Sequence, residues 1–240
     1  MTVHVTWHGS VLELALDRPA RRNAVDHETL VALAQAQAQA ADARALVITG
    51  RNGVFCAGAD LTGVEGDEFG AALTRVLRGF VTLPIATIAA VDGPALGAGS
   101  QLALACDLRV ATPRSRFGVP AAKLGLMIDE WTVQRLIALV GGSVARAVLL
   151  AADELGGERA HALGFVHRLG DLGDALAWAA TIADLAPLSV AGHKLALERA
   201  TPVVTDPEVR SMFARVWASD DFTEGRTAFL EKRPAKFTGR

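Results

Sequence analysis

Short apolar runs alternate with turn residues over the first 120 residues, a pattern typical of β-strands joined by loops and helices. Two apolar runs, at residues 3–7 and 11–16, flank His8-Gly9-Ser10 and predict a β-hairpin. Three later runs, at residues 45–49, 85–91 and 108–111, are bounded by turn residues and predict buried strands. Helices are predicted between these runs, at residues 26–41, 67–80 and 98–106.

Beyond residue 130 the pattern becomes helical, with one strand predicted at residues 166–169. The predicted helices cover residues 132–140, 144–151, 157–163, 172–186, 189–199, 207–217 and 223–232. No linker rich in glycine, proline or serine interrupts the chain, so we interpret it as one α/β domain. We assign residues 1–190 to its core and residues 191–240 to a C-terminal helical part of the same fold.

Composition narrows the classes of function. The 24 basic and 26 acidic residues give a formal net charge of −2, which argues against nucleic acid or an anionic membrane as the main partner. The longest stretch without Asp, Glu, Lys or Arg is residues 93–106, too short and too rich in glycine for an integral membrane segment. The first ten residues lack the features of a signal peptide, which predicts a cytoplasmic protein.

Cysteine and histidine are too sparse for the common metal and disulfide scaffolds. Cys56 and Cys106 are the two cysteines of the chain, and they fit a reducing compartment. The six histidines show no spacing typical of a metal site, so no metal is expected.

Two segments rich in small residues are candidates for ligand binding. The first, FCAGADL at residues 55–61, follows a predicted strand and allows backbone N–H groups to approach a ligand. The second, DGPALGAGSQ at residues 92–101, leads through glycines into a helix, whose first N–H groups favour an anion or oxyanion. Each segment alone is equally compatible with tight strand–helix packing.

In this order and at this spacing the segments resemble the crotonase superfamily, also called enoyl-CoA hydratase/isomerase. The resemblance also rests on Leu16-Asp17-Arg18-Pro19 with Asn23-Ala24, VDGPALGAGSQLALACDLRVA at 91–111, FGVPAAKLGL at 117–126, TVQRL at 132–136 and residues 223–233. It extends from about Val11 to the C-terminal residues.

The resemblance implies a crotonase-like α/β fold, a spiral of ββα units with a C-terminal helical layer, assembled as a homotrimer or hexamer. It implies an acyl-CoA ligand whose thioester oxygen lies in an oxyanion hole, with the backbone N–H groups of Ala59 and Ala98 as donors. Ala98 stands where glycine is usual, and its N–H can serve if its φ is negative. No cofactor is implied apart from the coenzyme A thioester itself.

The resemblance also implies contacts with coenzyme A. They are assigned to Arg21, Arg22, Ala24, Ala57, Asp60, Leu61, Phe229 and Lys232. Phe229 and Lys232 are three residues apart in a predicted helix, so we expect them on one face, toward the nucleotide end of the ligand. Arg21 and Arg22 are equally compatible with solvated surface charges.

The sequence departs from the hydratase pattern at both acid/base positions. Hydratases of the family carry glutamates where this chain has Gln101 and Ala121. Glutamine does not exchange a proton near neutral pH and alanine has no polar side-chain atom. General acid–base catalysis, worth about 10²–10⁴-fold per group, therefore has no evident agent at these positions.

Asp129 is the carboxylate that can substitute for them. It lies in GLMIDEWT, where some isomerases of the family carry an aspartate. A carboxylate near the α or γ carbon allows double-bond isomerisation without added water, although Asp129 is also placed to cap the helix predicted from Thr132.

Three functions remain open from the sequence. The protein binds acyl-CoA in fatty-acid metabolism without hydratase activity, or it is an enoyl-CoA isomerase that uses Asp129, or it is a weak hydratase whose missing groups are supplied elsewhere. The loss at both Gln101 and Ala121 favours the first two.

Overall fold

A computed structural model describes residues 2–62, 67–200 and 205–239. Its strands, in chain order, are β1 (Val3–His8), β2 (Val11–Leu16), β3 (Ala45–Gly50), β4 (Ala86–Val91), β5 (Pro94–Leu96), β6 (Leu108–Ala111), β7 (Arg116–Gly118), β8 (Glu154–Gly156) and β9 (Arg168–Leu169). Its α-helices are α1 (His27–Ala38), α2 (Asp67–Thr82), α3 (Ala98–Ala105), α4 (Glu130–Leu150), α5 (Gly157–Ala162), α6 (Leu172–Ala183), α7 (Pro187–Ala200), α8 (Pro207–Trp217) and α9 (Asp220–Glu231).

The main sheet has the strand order β1-β2-β3-β4-β6-β9. β1 and β2 pair antiparallel as the predicted hairpin, and every following pair is parallel. All residues of β2 and β4 are buried, as expected for strands of a parallel sheet covered on both faces. α6 packs on this sheet through Ala175, Ala179 and Ile182. The mixed α/β class predicted from the sequence is confirmed.

Three short strands escaped the sequence prediction. β5, β7 and β8 form a second sheet, and each has three residues. A run of three is too short to show a period of two, so no pattern distinguishes it from a loop. β5 lies in the predicted turn that follows β4.

Helix α4 contains the interruption that the sequence indicated. Two helices were predicted at residues 132–140 and 144–151, and α4 carries a non-helical residue between them, Gly141, with φ 77° and ψ 158°. By length and composition alone α4 could cross a membrane, a test that core helices of soluble proteins also pass. α4 contains no long charge-free stretch, because Arg135 and Arg146 interrupt its apolar residues.

The chain divides into two compact units. The first comprises Met1–Phe117 and Leu155–Thr201, and the second comprises Gly118–Glu154 and Pro202–Arg240. α7 therefore belongs to the first unit, although most of it falls beyond residue 190. The division at residue 190, which concerns the layers of the family fold, stays a prediction.

A buried lysine binds α7 to the other elements of the first unit. The Lys194 ammonium donates to the carbonyls of Phe80 (2.8 Å) and Ile85 (3.0 Å) and to the Asp107 carboxylate (2.8 Å). Lys194 is 7% exposed, whereas Leu188 and Leu197 of the same helix are 87% and 71% exposed. A buried ammonium is tolerated because all of these groups compensate its lost hydration.

The second unit depends on close backbone contact between α9 and the segment before α4. A Cβ on Gly225 would lie 2.3 Å from the Leu124 carbonyl oxygen, and one on Gly125 would lie 2.3 Å from the Asp221 carbonyl oxygen. Trp217 adds a hydrogen bond from its indole Nε1–H to the Met127 carbonyl (2.9 Å). The segment at residues 124–127 therefore packs against α9 and is hydrogen-bonded to the end of α8.

We predict that Gly225→Ala destabilises the protein by about 1–3 kcal/mol, because the new methyl group forces two backbones apart. The control is Gly192→Ala in α7, where a Cβ meets nothing within 4 Å. Both glycines are helical, so both substitutions gain about 0.5–1 kcal/mol of helix propensity. Urea unfolding of both variants checks the prediction, and equal stability would contradict the packing argument.

Candidate functional site

The segment around Gly58 is held on both sides by main-chain hydrogen bonds. On one side, Val25 N–H donates to the Gly58 carbonyl and Asp60 N–H donates to the Val25 carbonyl, both at 2.8 Å. On the other side, Cys56 N–H donates to the Pro94 carbonyl (3.0 Å) and Leu96 N–H donates to the Cys56 carbonyl (2.9 Å). These bonds fix the path of residues 56–60 between two neighbouring segments.

The backbone geometry suits the two predicted N–H donors, Ala59 and Ala98. In the parallel bridge between Val25 and Ala59, the groups of Val25 pair with the residues on either side of Ala59, so the N–H of Ala59 points away from Val25. Ala98 begins α3 with a negative φ, as its replacement of glycine requires. The first N–H groups of a helix have no partner within it.

The two glycine-containing segments meet backbone to backbone. A Cβ on Gly99 would lie 2.3 Å from the Cys56 carbonyl oxygen, and one on Gly58 (φ 117°) would lie 3.1 Å from the Leu96 carbonyl oxygen. A Cβ on Gly97 (φ 52°) would lie 3.7 Å from Gly58 Cα. The fold thus brings together the two segments that the sequence singled out.

Arg18 organises the charges beside this contact. Its guanidinium donates to Asp60 Oδ2 (3.1 Å), lies 2.5 Å from Asp26 Oδ2 and donates to the Ala24 carbonyl. The Thr62 hydroxyl donates to Asp60 Oδ1 (2.7 Å). Burial alone would raise the pKa of Asp60, but the hydrogen bonds from Thr62 and Arg18 outweigh it, and the pKa lies below its ordinary value.

Asn23 ties the loop at residues 18–24 to the turn after β3. It is 1% exposed and adopts a left-handed conformation with φ 57°. Its Oδ1 accepts the Arg18 N–H (2.8 Å), and its Nδ2 donates to the carbonyls of Arg51 (2.9 Å) and Val54 (2.6 Å). A buried amide with every group paired holds the loop in one conformation.

The residues at 21–24 and 57–61 that were assigned to coenzyme A differ in their exposure to solvent. Arg21 and Arg22 are exposed, whereas Ala24 and Leu61 are buried. Ala57 is half-buried, and its N–H donates to the Arg22 carbonyl (3.1 Å). The Asp60 carboxylate accepts hydrogen bonds from Arg18 and Thr62.

The two positions of the missing glutamates fall in different units. Gln101 lies in the first unit, on α3, and is 6% exposed. Ala121 lies in the second unit, half-buried in a short 3₁₀ helix, Pro120–Leu124.

Asp129 is the N-cap of α4. Its Oδ1 accepts the Thr132 N–H (3.0 Å), and its Oδ2 accepts the Thr132 hydroxyl (2.6 Å). The capping role suggested by the sequence is confirmed, and the carboxylate is therefore held in a fixed orientation within the second unit.

One geometric prediction at the nucleotide end is wrong. Phe229 lies on α9 and is 58% exposed, but α9 ends at Glu231, and Lys232 adopts a left-handed conformation with φ 55°. Lys232 therefore does not continue the helical face of Phe229. The periodicity of residues 223–232 gave no sign of this change in direction.

Comparison with known proteins assigns the chain to a family. The sequence model of the family described as Enoyl-CoA hydratase/isomerase matches residues 6–240. The chain belongs to the enoyl-CoA hydratase/isomerase family. The "Probable enoyl-CoA hydratase echA6" of Mycobacterium tuberculosis is 42% identical, and the alignment covers 99% of each protein. The 2,3-dehydroadipyl-CoA hydratase of Escherichia coli is 37% identical, with 96% of each protein covered.

Solved structures confirm the crotonase-like fold of this family member. An enoyl-CoA hydratase from Mycobacterium avium subsp. paratuberculosis superposes with a TM-score of 0.89 and 28% identity, over 99% of both chains. In the part of this family member that the structure describes, no group of three or more His, Cys, Asp or Glu side chains is placed to hold a metal ion.

Arg18 and Asn23 lie within a motif of the family, but the sequence alone assigned them no role. Their partners Asp60 and Val54 lie about thirty to forty residues further on, beyond the reach of a local pattern. The signal that was available is the spacing Arg-Pro-x-x-x-Asn, in which a buried asparagine follows a charged residue after a strand.

We predict that Asp60→Asn lowers the free energy of unfolding at neutral pH by about 1–3 kcal/mol, because Arg18 loses a charged partner. The folded-state pKa of Asp60 is lowered from 3.8, so its ionised form stabilises the fold above that value. This stabilisation is lost as the pH falls through the lowered pKa.

Urea unfolding at neutral and at acid pH tests this prediction. The Asp60→Asn variant should lose less stability on acidification than the parent, whereas Asp42→Asn, at an exposed residue of the first unit, should behave like the parent. The same acid dependence in parent and Asp60→Asn would refute the assigned role.

Proposed function

We propose that this family member binds an acyl-CoA thioester and places its carbonyl oxygen between the N–H groups of Ala59 and Ala98. The observation that carries this proposal is the backbone contact between residues 56–60 and 97–99, which only glycine at positions 58 and 99 permits. Rigid backbone donors need no reorganisation when charge develops on an oxygen, and losing one typically costs about 3–4 kcal/mol of barrier.

We further propose that the bound thioester is not hydrated. Hydration needs one group to activate water and another to protonate the α-carbon. The hydratase positions hold Gln101 and Ala121 instead of two glutamates, and neither side chain exchanges a proton near neutral pH. The conserved fold and the donor segments then serve ligand binding, in the setting of fatty-acid metabolism that the resemblance implies.

We propose that the exposed cations of Arg21 and Arg22, in the first unit, contact the nucleotide end of coenzyme A. The exposed Lys232 and the exposed ring of Phe229, in the second unit, are proposed to contact the nucleotide of a ligand held by a neighbouring subunit, as the family resemblance implies. Exposed cations and an aromatic ring match the phosphates and adenine of that group.

A cytoplasmic homotrimer or hexamer is proposed as the assembly. Helix α7 exposes three leucines, Leu188 (87%), Leu195 (53%) and Leu197 (71%), and apolar side chains grouped on one helix favour burial against another subunit. Sedimentation of the purified protein distinguishes trimer, hexamer and monomer, and a monomer would rule out this assembly.

We predict micromolar binding of acyl-CoAs by calorimetry together with a hydration kcat/KM below about 10⁴ M⁻¹ s⁻¹, the lower end of ordinary enzyme efficiency. Acyl-CoAs of several chain lengths and a short enoyl-CoA are measured on one sample. Ala98→Val should weaken binding because added bulk obstructs the approach to the N–H group of residue 98.

The matched control for Ala98→Val is Ala138→Val, which places the same side chain at an exposed helical position. Ready hydration by the parent would exclude the binding-only function. Parental affinity in Ala98→Val would exclude Ala98 as an oxyanion donor.

Enoyl-CoA isomerisation is the second candidate, favoured by the fixed carboxylate of Asp129. A thioester held by two N–H groups has acidified α-protons, and one carboxylate can remove a proton at one carbon and return it at another. No water is consumed, so this reaction tolerates the absence of both glutamates. A weak hydratase activity is the remaining alternative, and the hydration assay decides it.

We predict that any proton exchange catalysed by this protein is lost in Asp129→Asn. Asparagine is as good an N-cap as aspartate, so the substitution removes the titrating group and preserves the start of α4. Solvent-deuterium exchange into a 3-enoyl-CoA is the measurement.

The control for this substitution is Asp171→Asn at the N-cap of α6, where the same exchange of residues should leave the rate unchanged. Equal exchange in the parent and Asp129→Asn would limit Asp129 to capping. Absence of exchange in the parent would leave binding as the function.

A further inference from the structure

Residues 233–239 run back along α9 and are bound to it by two carboxylates one helical turn apart. Asp221 accepts the backbone N–H groups of Thr238 (2.6 Å) and Gly239 (2.9 Å). Glu224 accepts the backbone N–H of Lys236 (2.8 Å). We call these residues, 233–239 with Asp221 and Glu224, the tail latch.

Arg233 makes three side-chain hydrogen bonds in and beside the tail latch. Its guanidinium binds Glu224 with two hydrogen bonds, of 2.6 Å and 2.8 Å, and donates a third to Glu231 (2.6 Å). The hydrogen bonds from Arg233 lower the pKa of Glu224 to about 2, so Glu224 is ionised at neutral pH. A single exposed ion pair contributes little, but a forked pair combined with main-chain donors forms a directional network.

Lys232 lies at the point where the chain reverses between α9 and the tail latch. Its left-handed φ of 55° is unfavourable for a residue with a side chain, and such a conformation persists only where neighbours impose it. Here the Arg233 N–H, one residue later, donates to the Ala228 carbonyl (3.0 Å), and the Arg233 side chain is fixed by Glu224.

We propose that Glu224 and Arg233 are positioning residues that orient Lys232 toward the phosphates of coenzyme A. This inference rests on the proposed acyl-CoA function and deepens its nucleotide end. A lysine whose backbone is already held in its binding conformation loses less conformational freedom on contact with a phosphate than one on a free chain end. In this proposal the tail latch does not contact the ligand.

The experiment compares two ligands, an acyl-CoA and the matching acyl-pantetheine, which has the same thioester and lacks the nucleotide. Calorimetry on Glu224→Gln should show acyl-CoA affinity reduced roughly five- to thirtyfold, the cost of fixing the backbone of one residue on binding. Affinity for the acyl-pantetheine should equal that of the parent. Arg233→Gln, which breaks the same link from the other side, should reproduce both results.

Two controls separate positioning from stability. In a Lys232→Ala background, Glu224→Gln should cause no further loss of acyl-CoA affinity, because the residue it positions is absent. Glu208→Gln, at an exposed glutamate of α8 outside the latch, should bind both ligands like the parent.

The outcomes distinguish this inference from the function on which it rests. Equal weakening of both ligands by Glu224→Gln and Arg233→Gln, or a full effect that persists without Lys232, would overturn the positioning role. Parental acyl-CoA affinity in both variants would also overturn it. A parent that binds neither ligand would overturn the proposed function and this inference together.

Discussion

The contact between the segments around Gly58 and Gly99 is the constraint on which the rest of the candidate site depends. The two backbones approach so closely that a single methyl group at position 99 would lie 2.3 Å from a carbonyl oxygen. The two glycines contribute no side chain to this contact, so their part of it consists of main-chain groups. An enzyme family that stabilises charge on a carbonyl oxygen needs N–H donors held rigidly and close together.

The surrounding network keeps this arrangement in place. Arg18 pairs with both Asp60 and Asp26, and Asn23 pairs its amide with three main-chain groups, so the loop before α1 cannot shift without leaving buried polar groups unpaired. These residues do not carry out chemistry in the proposed function. They fix the segment from which Ala59 presents its N–H group.

A donor pair without acid/base glutamates has a coherent physical use. Main-chain donors bind a thioester oxygen and polarise the thioester, and neither action requires a titrating side chain. The water-dependent step is the one that requires the carboxylates missing at positions 101 and 121. In the proposed function, donors without these carboxylates allow binding without hydration, while Asp129 offers a carboxylate for a reaction that needs no water.

The sequence by itself determined the α/β class, the hairpin, the buried strands, the interruption between residues 140 and 144 and the two glycine-rich segments. These features follow from local patterns of apolar and small residues, which fix strand periodicity and backbone freedom within a few positions. Only the tertiary structure decided the partners of Arg18, the three short strands and the end of α9 at Glu231. Each depends on hydrogen bonds between residues distant in the chain or on packing against other elements, as when residues 233–239 turn back on α9 and hold Lys232 in a conformation that its own sequence does not favour.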